Sequence, residues 1–120
     1  MQTMLDAYIE CALWSTADES TPEGGEPLDQ NYSASDLAPE TLAEMASDCE
    51  RFAKVNEAFI GDAPEYQVGH DLWLTRNGHG AGFWDRDADL YANQDALTEA
   101  ARAMGEIYLY VGDDGLIYQG

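Results

Sequence analysis

Apolar residues first recur at helical spacing. Leu5, Tyr8, Ile9, Ala12 and Leu13 share one face of a 3.6-residue period, with Asp6 and Glu10 opposite, and predict a helix over 3–15. Periodicity lapses from Thr16 to Tyr32, where two prolines, two glycines and five carboxylates fall, so 16–32 reads as a long acidic loop. Pro39 suits the first turn of a second helix, and Asp36 and Glu40 suit the positive end of its dipole. Leu42, Met45, Ala46, Cys49, Phe52, Ala53, Asn56 and Ile60 continue that helix as one stripe, which Gly61, Asp62 and Pro64 are expected to end.

The period then changes. Residues 71–76 (Asp-Leu-Trp-Leu-Thr-Arg) alternate apolar and polar, and 81–85 (Ala-Gly-Phe-Trp-Asp) answer them across Asn77-Gly78-His79-Gly80. Asn-Gly between alternating runs predicts a β-hairpin. A third helix is expected over 94–104, with Leu97, Ala100, Ala101 and Met104 inward and Gly105 at its end. Residues 107–111, a Gly-Asp-Asp-Gly turn and 116–118 predict a second hairpin. The expected fold class is α+β: about three helices packed on a short antiparallel sheet made of two β-hairpins. At 120 residues, one domain spanning 1–120 is expected.

Charge changes the picture most. The chain has 24 Asp and Glu against 5 Lys and Arg, a formal net charge of -19. Hydrophobic residues at 45% and aromatics at 11% argue for a packed core rather than an acidic disordered tail. Such a surface repels nucleic acid and anionic membranes and attracts basic protein surfaces. No secretory leader and no bilayer-spanning run is visible, so a cytoplasmic location is expected. Cys11 and Cys49 sit at apolar helical positions and read as buried thiols, with a disulfide left open.

Candidate chemistry is thin. His70 and His79, with Asp71 or Asp85, lack the spacing of a local metal pair. Asp85-x-Asp87-x-Asp89 opens like a calcium loop, but Leu90 stands where the loop needs Gly and Ala96 where it needs Glu. The glycines of 78–82 lack the Lys-Ser/Thr of a nucleotide loop. Trp73 and Trp84 are expected to pack in the core or across the hairpin, the alternative being an exposed aromatic anchor in an interface, and Arg76 and Arg86 to pair with acids of the same domain. Neither cysteine lies near a histidine in sequence. No catalytic residue, metal site or cofactor is expected, and the chain does not read as an enzyme.

Residues 69–86, Gly-His-Asp-Leu-Trp-Leu-Thr-Arg-Asn-Gly-His-Gly-Ala-Gly-Phe-Trp-Asp-Arg, resemble a signature of a family of small tailed-bacteriophage and mobile-element proteins. Tyr8-Ile-Glu-Cys-Ala-Leu-Trp14, Pro27-Leu-Asp-x-Asn-Tyr-Ser33 and Gly112-Asp-Asp-Gly-x-Ile-Tyr118 extend the resemblance over most of the chain. It singles out Trp73, Arg76, Asn77, His79, Trp84, Asp85 and Arg86 in the expected hairpin. The resemblance implies a phage or prophage setting and no activity. Small acidic phage proteins often inhibit host defence or DNA enzymes, which suggests such a role by analogy.

Three readings of the carboxylates follow. In the first the chain mimics DNA charge and blocks a basic DNA-binding or defence protein of the host, such as a restriction, CRISPR or DNA-repair enzyme. A domain of this length is roughly 35 Å long, on the order of ten base pairs of duplex carrying about twenty phosphates. The expected array is Asp6, Glu10, Asp18, Glu19, Glu23, Glu26, Glu40, Glu44, Asp48 and Glu57, with a homodimer possible. In the second reading the charge is adaptation to strong salt. In the third the chain is a phage assembly or regulatory module that binds protein through the hairpin of residues 71–86.

Overall fold

Residues 2–19 and 24–120 are described by a computed structural model. Thr3 opens helix α1 (Met4–Ser15): its hydroxyl accepts from the Asp6 amide while Asp6 returns the bond to the Thr3 amide, closing a capping box. Two-residue strands β1 (Ala17–Asp18) and β2 (Glu26–Pro27) then pair antiparallel, followed by 3-10 turns at Leu28–Gln30 and Ala34–Asp36. The stretch expected as an unstructured loop is therefore folded over much of its length, because Thr16 and Asp18 carbonyls accept from Leu28 and Gly25.

Helix α2 (Pro39–Val55) starts at the expected proline and turns Thr41, Met45, Cys49 and Phe52 inward. Leu42, expected on the buried stripe, is 42% exposed, since the inward face begins at Thr41, whose hydroxyl donates to the Ile117 carbonyl at 2.9 Å. Asn56 interrupts the long helix. Its side-chain amide donates to the Phe52 carbonyl, and the separate turn α3 (Glu57–Ile60) follows, closed by Gly61 at φ +65°.

The largest correction concerns residues 71–85. They form no hairpin. Pro64 does not stop a helix but starts one, α4 (Glu65–Arg76), and a 3-10 turn takes Phe83–Asp85. The two-residue alternation misleads because Asp71 to Arg76 are all buried, the polar ones through partners, so the segment has no solvent face to mark a 3.6 period. Asn77-Gly78 misleads because it caps a helix instead of turning a hairpin. Gly78 sits at φ +70°, its amide donates to the Thr75 carbonyl, and the His79 amide donates to the Leu74 carbonyl, which is the paired bonding of a Schellman motif.

Asn93 caps helix α5 (Gln94–Ala103) through the Ala96 amide, and strands β3 (Leu109–Val111) and β4 (Ile117–Gln119) make the second hairpin where it was expected. The class α+β therefore holds. The described residues contain five helices and two separate two-stranded antiparallel sheets, not three helices on one sheet. α1 and α4 pack face to face at Gly69, where an added Cβ would run into the Met4 carbonyl oxygen. Tyr8 meets Trp73 edge to face at 5.3 Å, and Phe83 joins Phe52 and Tyr91 at 5.7 and 5.1 Å, so the core holds two groups of packed rings. Cys11 and Cys49 are buried free thiols. No helix among the described residues is long and apolar enough to cross a membrane.

Candidate functional site

Two internal ion pairs absorb much of the 69–86 signature. Asp71, fully buried on α4, accepts from Arg86 Nε at 3.0 Å and Nη2 at 2.7 Å, from the Tyr91 hydroxyl at 2.6 Å and from Gln67 Nε2 at 3.1 Å. The Asp71 bond holds the Arg86 guanidinium above its ordinary pKa, and burial followed by the same carboxylate pushes the Tyr91 phenol up. Five residues further along α4, Arg76 is 5% exposed. Its guanidinium donates to Asp48 Oδ2 at 3.0 Å, to the Tyr8 hydroxyl at 3.1 Å, and to the Gly105 and Met104 carbonyls at 2.9 and 3.2 Å. Four donations close the end of α5 onto α2 and α4, and burial raises the Tyr8 pKa despite the opposing arginine.

Both arginines therefore pair within the domain, with acids 28 and 15 residues away in sequence rather than with adjacent ones. Trp73 is buried, with its indole donating to the Ser15 hydroxyl at 2.8 Å, whereas Trp84 is 42% exposed. The two tryptophans do not pair across strands, since there are no such strands. Asn77 spans α4 and the C-terminal segment: its amide nitrogen donates to the Trp73 carbonyl and its oxygen accepts from the Ile107 amide at 2.9 Å. His79 and Asp85 are exposed. Among the described residues no three His, Cys, Asp or Glu side chains gather as a metal site.

The expected acidic array divides. Asp6 and Glu10 line a surface hollow of about 350 Å³ together with Asp29, and Glu10 also accepts from Gln2. Glu40 and Glu44 stand on the outer face of α2, where Glu44 accepts from Gln119 at 2.8 Å, beside the C-terminal hairpin. Glu19, Glu26 and Glu57 are exposed. Two members do not belong. Asp18 is 3% exposed, and Asp48 is committed to Arg76 and, at 2.9 Å, to Arg51. Both lie where the chain turns their side chains inward. Glu23 lies outside the described residues.

A second surface feature has no counterpart in the sequence reading. Tyr108 and Tyr110 are 63% and 46% exposed, and Tyr110 stacks on Tyr118 with ring centres 5.9 Å apart. Beside them runs a groove of about 440 Å³ lined by Thr16, Ala17, Glu19 and Leu28 on one side and residues 108–111 on the other. The alternation of tyrosines in 107–111 was the available signal, since a hairpin with one buried face puts every second residue outside. Tyr118 also donates to Asp114 at 2.5 Å, which lowers the Asp114 pKa and raises that of Tyr118 to about 12. No family model, curated protein or solved structure matches the chain.

Proposed function

We propose that this chain is a non-enzymatic acidic inhibitor that occupies the basic nucleic-acid channel of a host DNA-binding or defence protein, in the manner of a phage DNA mimic. The observation that carries the reading is the fate of the cations. Of five Lys and Arg, Arg76 and Arg86 are spent on internal pairs with Asp48 and Asp71. The exposed carboxylates are left with few positive neighbours. The long axis is 43 Å, a length of duplex that carries about 25 phosphate charges, against a net charge of -19 here. Charge of that density steers association with a basic channel and weakens with salt. The resemblance to small phage proteins supports the same setting, and cytoplasmic action in the host belongs to this proposal.

The test is a pull-down from bacterial lysate, repeated with Asp6, Glu10, Glu40 and Glu44 changed to Gln or Asn. A DNA-binding protein that is captured, released at ~0.5 M salt and displaced by duplex DNA is the expected result. Capture that survives neutralisation of these carboxylates, or that duplex DNA does not disturb, overturns the reading.

A second reading, a phage assembly or regulatory module, is favoured by the exposed tyrosines of the C-terminal hairpin. The hairpin of residues 71–86 on which this reading relied is instead a helix and a 3-10 turn, with Trp73 in the core and Arg86 holding Asp71. The aromatic surface at Tyr108 and Tyr110 takes their place.

A further inference from the structure

Among the described residues, β3 has one paired edge and one open edge. Tyr108 and Gly120 exchange both main-chain bonds, at 3.2 and 2.8 Å, and the Gly112 amide donates to the Leu116 carbonyl at 2.7 Å. The antiparallel register places Leu109 opposite Gln119 and Val111 opposite Ile117. Alternation of an antiparallel ladder then turns the N–H and C=O groups of Leu109 and Val111 away from β4. β4 itself is engaged on its far side, where the Ile117 carbonyl accepts from the Ala38 amide and the Thr41 hydroxyl.

The open edge faces the groove beside β3. Residues from both faces of the strand line that groove, and no residue of β4 does, which places it along the outer edge. On its opposite wall lies Ala17. The Leu28 amide bonds the Thr16 carbonyl, and Ala17 faces Pro27, a residue without an amide hydrogen, so the Ala17 main-chain groups also point away from their own partner strand. A groove thus runs between two short strands, each with main-chain groups directed away from its partner. Among the described residues its lining is mostly apolar, with Glu19 the one carboxylate.

We propose that this groove accepts an extended segment of a partner protein as an added strand on β3, and that the segment alternates basic and apolar residues. The chemistry selects the occupant. Unpaired strand edges take extended peptides by main-chain bonding, with side chains giving the specificity. Apolar residues of the segment meet the exposed rings of Tyr108 and Tyr110. Its basic residues meet Glu19 and the neighbouring exposed Glu26 and Glu106. A second copy of this chain, also carrying -19, is repelled from the same edge. The paired stretch is short, three residues or about 10 Å of strand, so surrounding charge supplies much of the on-rate. The inference rests on the reading of this chain as a binder of cationic proteins and adds where and in what conformation the partner is held.

The test uses the whole chain and a fluorescein-labelled peptide, Lys-Val-Arg-Val-Lys-Val-Arg, in fluorescence anisotropy. Two isomers carry N-methyl groups on alternate residues, one set in each register, and an oligolysine of equal charge serves as reference. At least one isomer binds tenfold or more weakly than the parent, and amide resonances of Leu109, Val111 and Ala17 shift on titration with the parent. Val111→Pro, which removes an outward N–H that β4 does not use, reproduces the loss. Parent, isomers and oligolysine binding alike overturns the added-strand inference while leaving carboxylate-driven binding intact. Absence of binding by every cationic peptide overturns both. The N-methyl comparison needs no variant, so a poorly folded Val111→Pro leaves the test decisive.

Discussion

Arg86 grips Asp71 in a fork, Nε and Nη2 at 3.0 and 2.7 Å from the same carboxylate oxygen, across fifteen residues of sequence. The pair ties α4 to the 3-10 turn at Phe83–Asp85 and, through the Tyr91 hydroxyl, to the approach to α5. A buried pair of this kind is weak evidence of net stability. Removing one partner is costly, because the other stays in the interior uncompensated.

Asp71→Asn is expected to lower stability by about 3–5 kcal/mol, read from urea denaturation followed by circular dichroism. Arg86→Lys keeps the charge but loses the planar fork and is expected to fall between. Arg51→Ala is the control, since Arg51 is 68% exposed in its pair with Asp48, and a change of about 1 kcal/mol or less is expected. Equal effects for Asp71→Asn and Arg51→Ala contradict the central role given to the buried pair.

Gly69→Ala and Gly80→Ala separate the helical fold from the hairpin that the sequence suggests. At Gly69 the added methyl meets the Met4 carbonyl, whereas at Gly80 it meets nothing within 4 Å. Gly69→Ala is expected to cost about 1–3 kcal/mol as α1 and α4 are forced apart, and Gly80→Ala to leave the urea midpoint within error. A destabilising Gly80→Ala beside a silent Gly69→Ala would speak against the α1–α4 contact.

The thiols carry a pH signature. Burial pushes both Cys11 and Cys49 up to about 12 from an ordinary value of 9.0, with Asp71 adding to the effect at Cys11 and Asp48 at Cys49. The folded state therefore holds the neutral thiol. The stability this represents is complete below the unfolded value and is lost as pH rises from 9 towards 12. Native protein at pH 8 is expected to react with a disulfide reagent at a small fraction of the rate seen in urea, where both thiols titrate at once. Fast reaction of either cysteine in the native state would mean that it is accessible.

Local signals were legible where a helix keeps a wet face or a cap. The apolar stripe that opens at Leu5, Pro39 and the run from Gln94 mark starts that the structure reproduces within a residue or so. The C-terminal hairpin was equally plain, because the Gly-Asp-Asp-Gly turn separates runs of strand-forming residues. α4 was hidden. Its polar residues Asp71, Thr75 and Arg76 are all buried and partnered by Arg86, the Phe83 amide and Asp48, so polarity did not report exposure. The same long-range pairing removed Asp48 from the acidic array, since no spacing in the chain announces that Arg76 reaches it from 28 residues away.

Asn77 bears on how the molecule ages. An asparagine followed by glycine is the dipeptide most prone to spontaneous ring closure, in which the glycine nitrogen attacks the side-chain amide carbon and ammonia leaves. Here that nitrogen is turned to the Thr75 carbonyl, while the asparagine amide is held between Trp73 and Ile107. Unfolding releases both restraints. Conversion at this one bond therefore records the cumulative time a molecule has spent open, a slow chemical clock written into the end of α4.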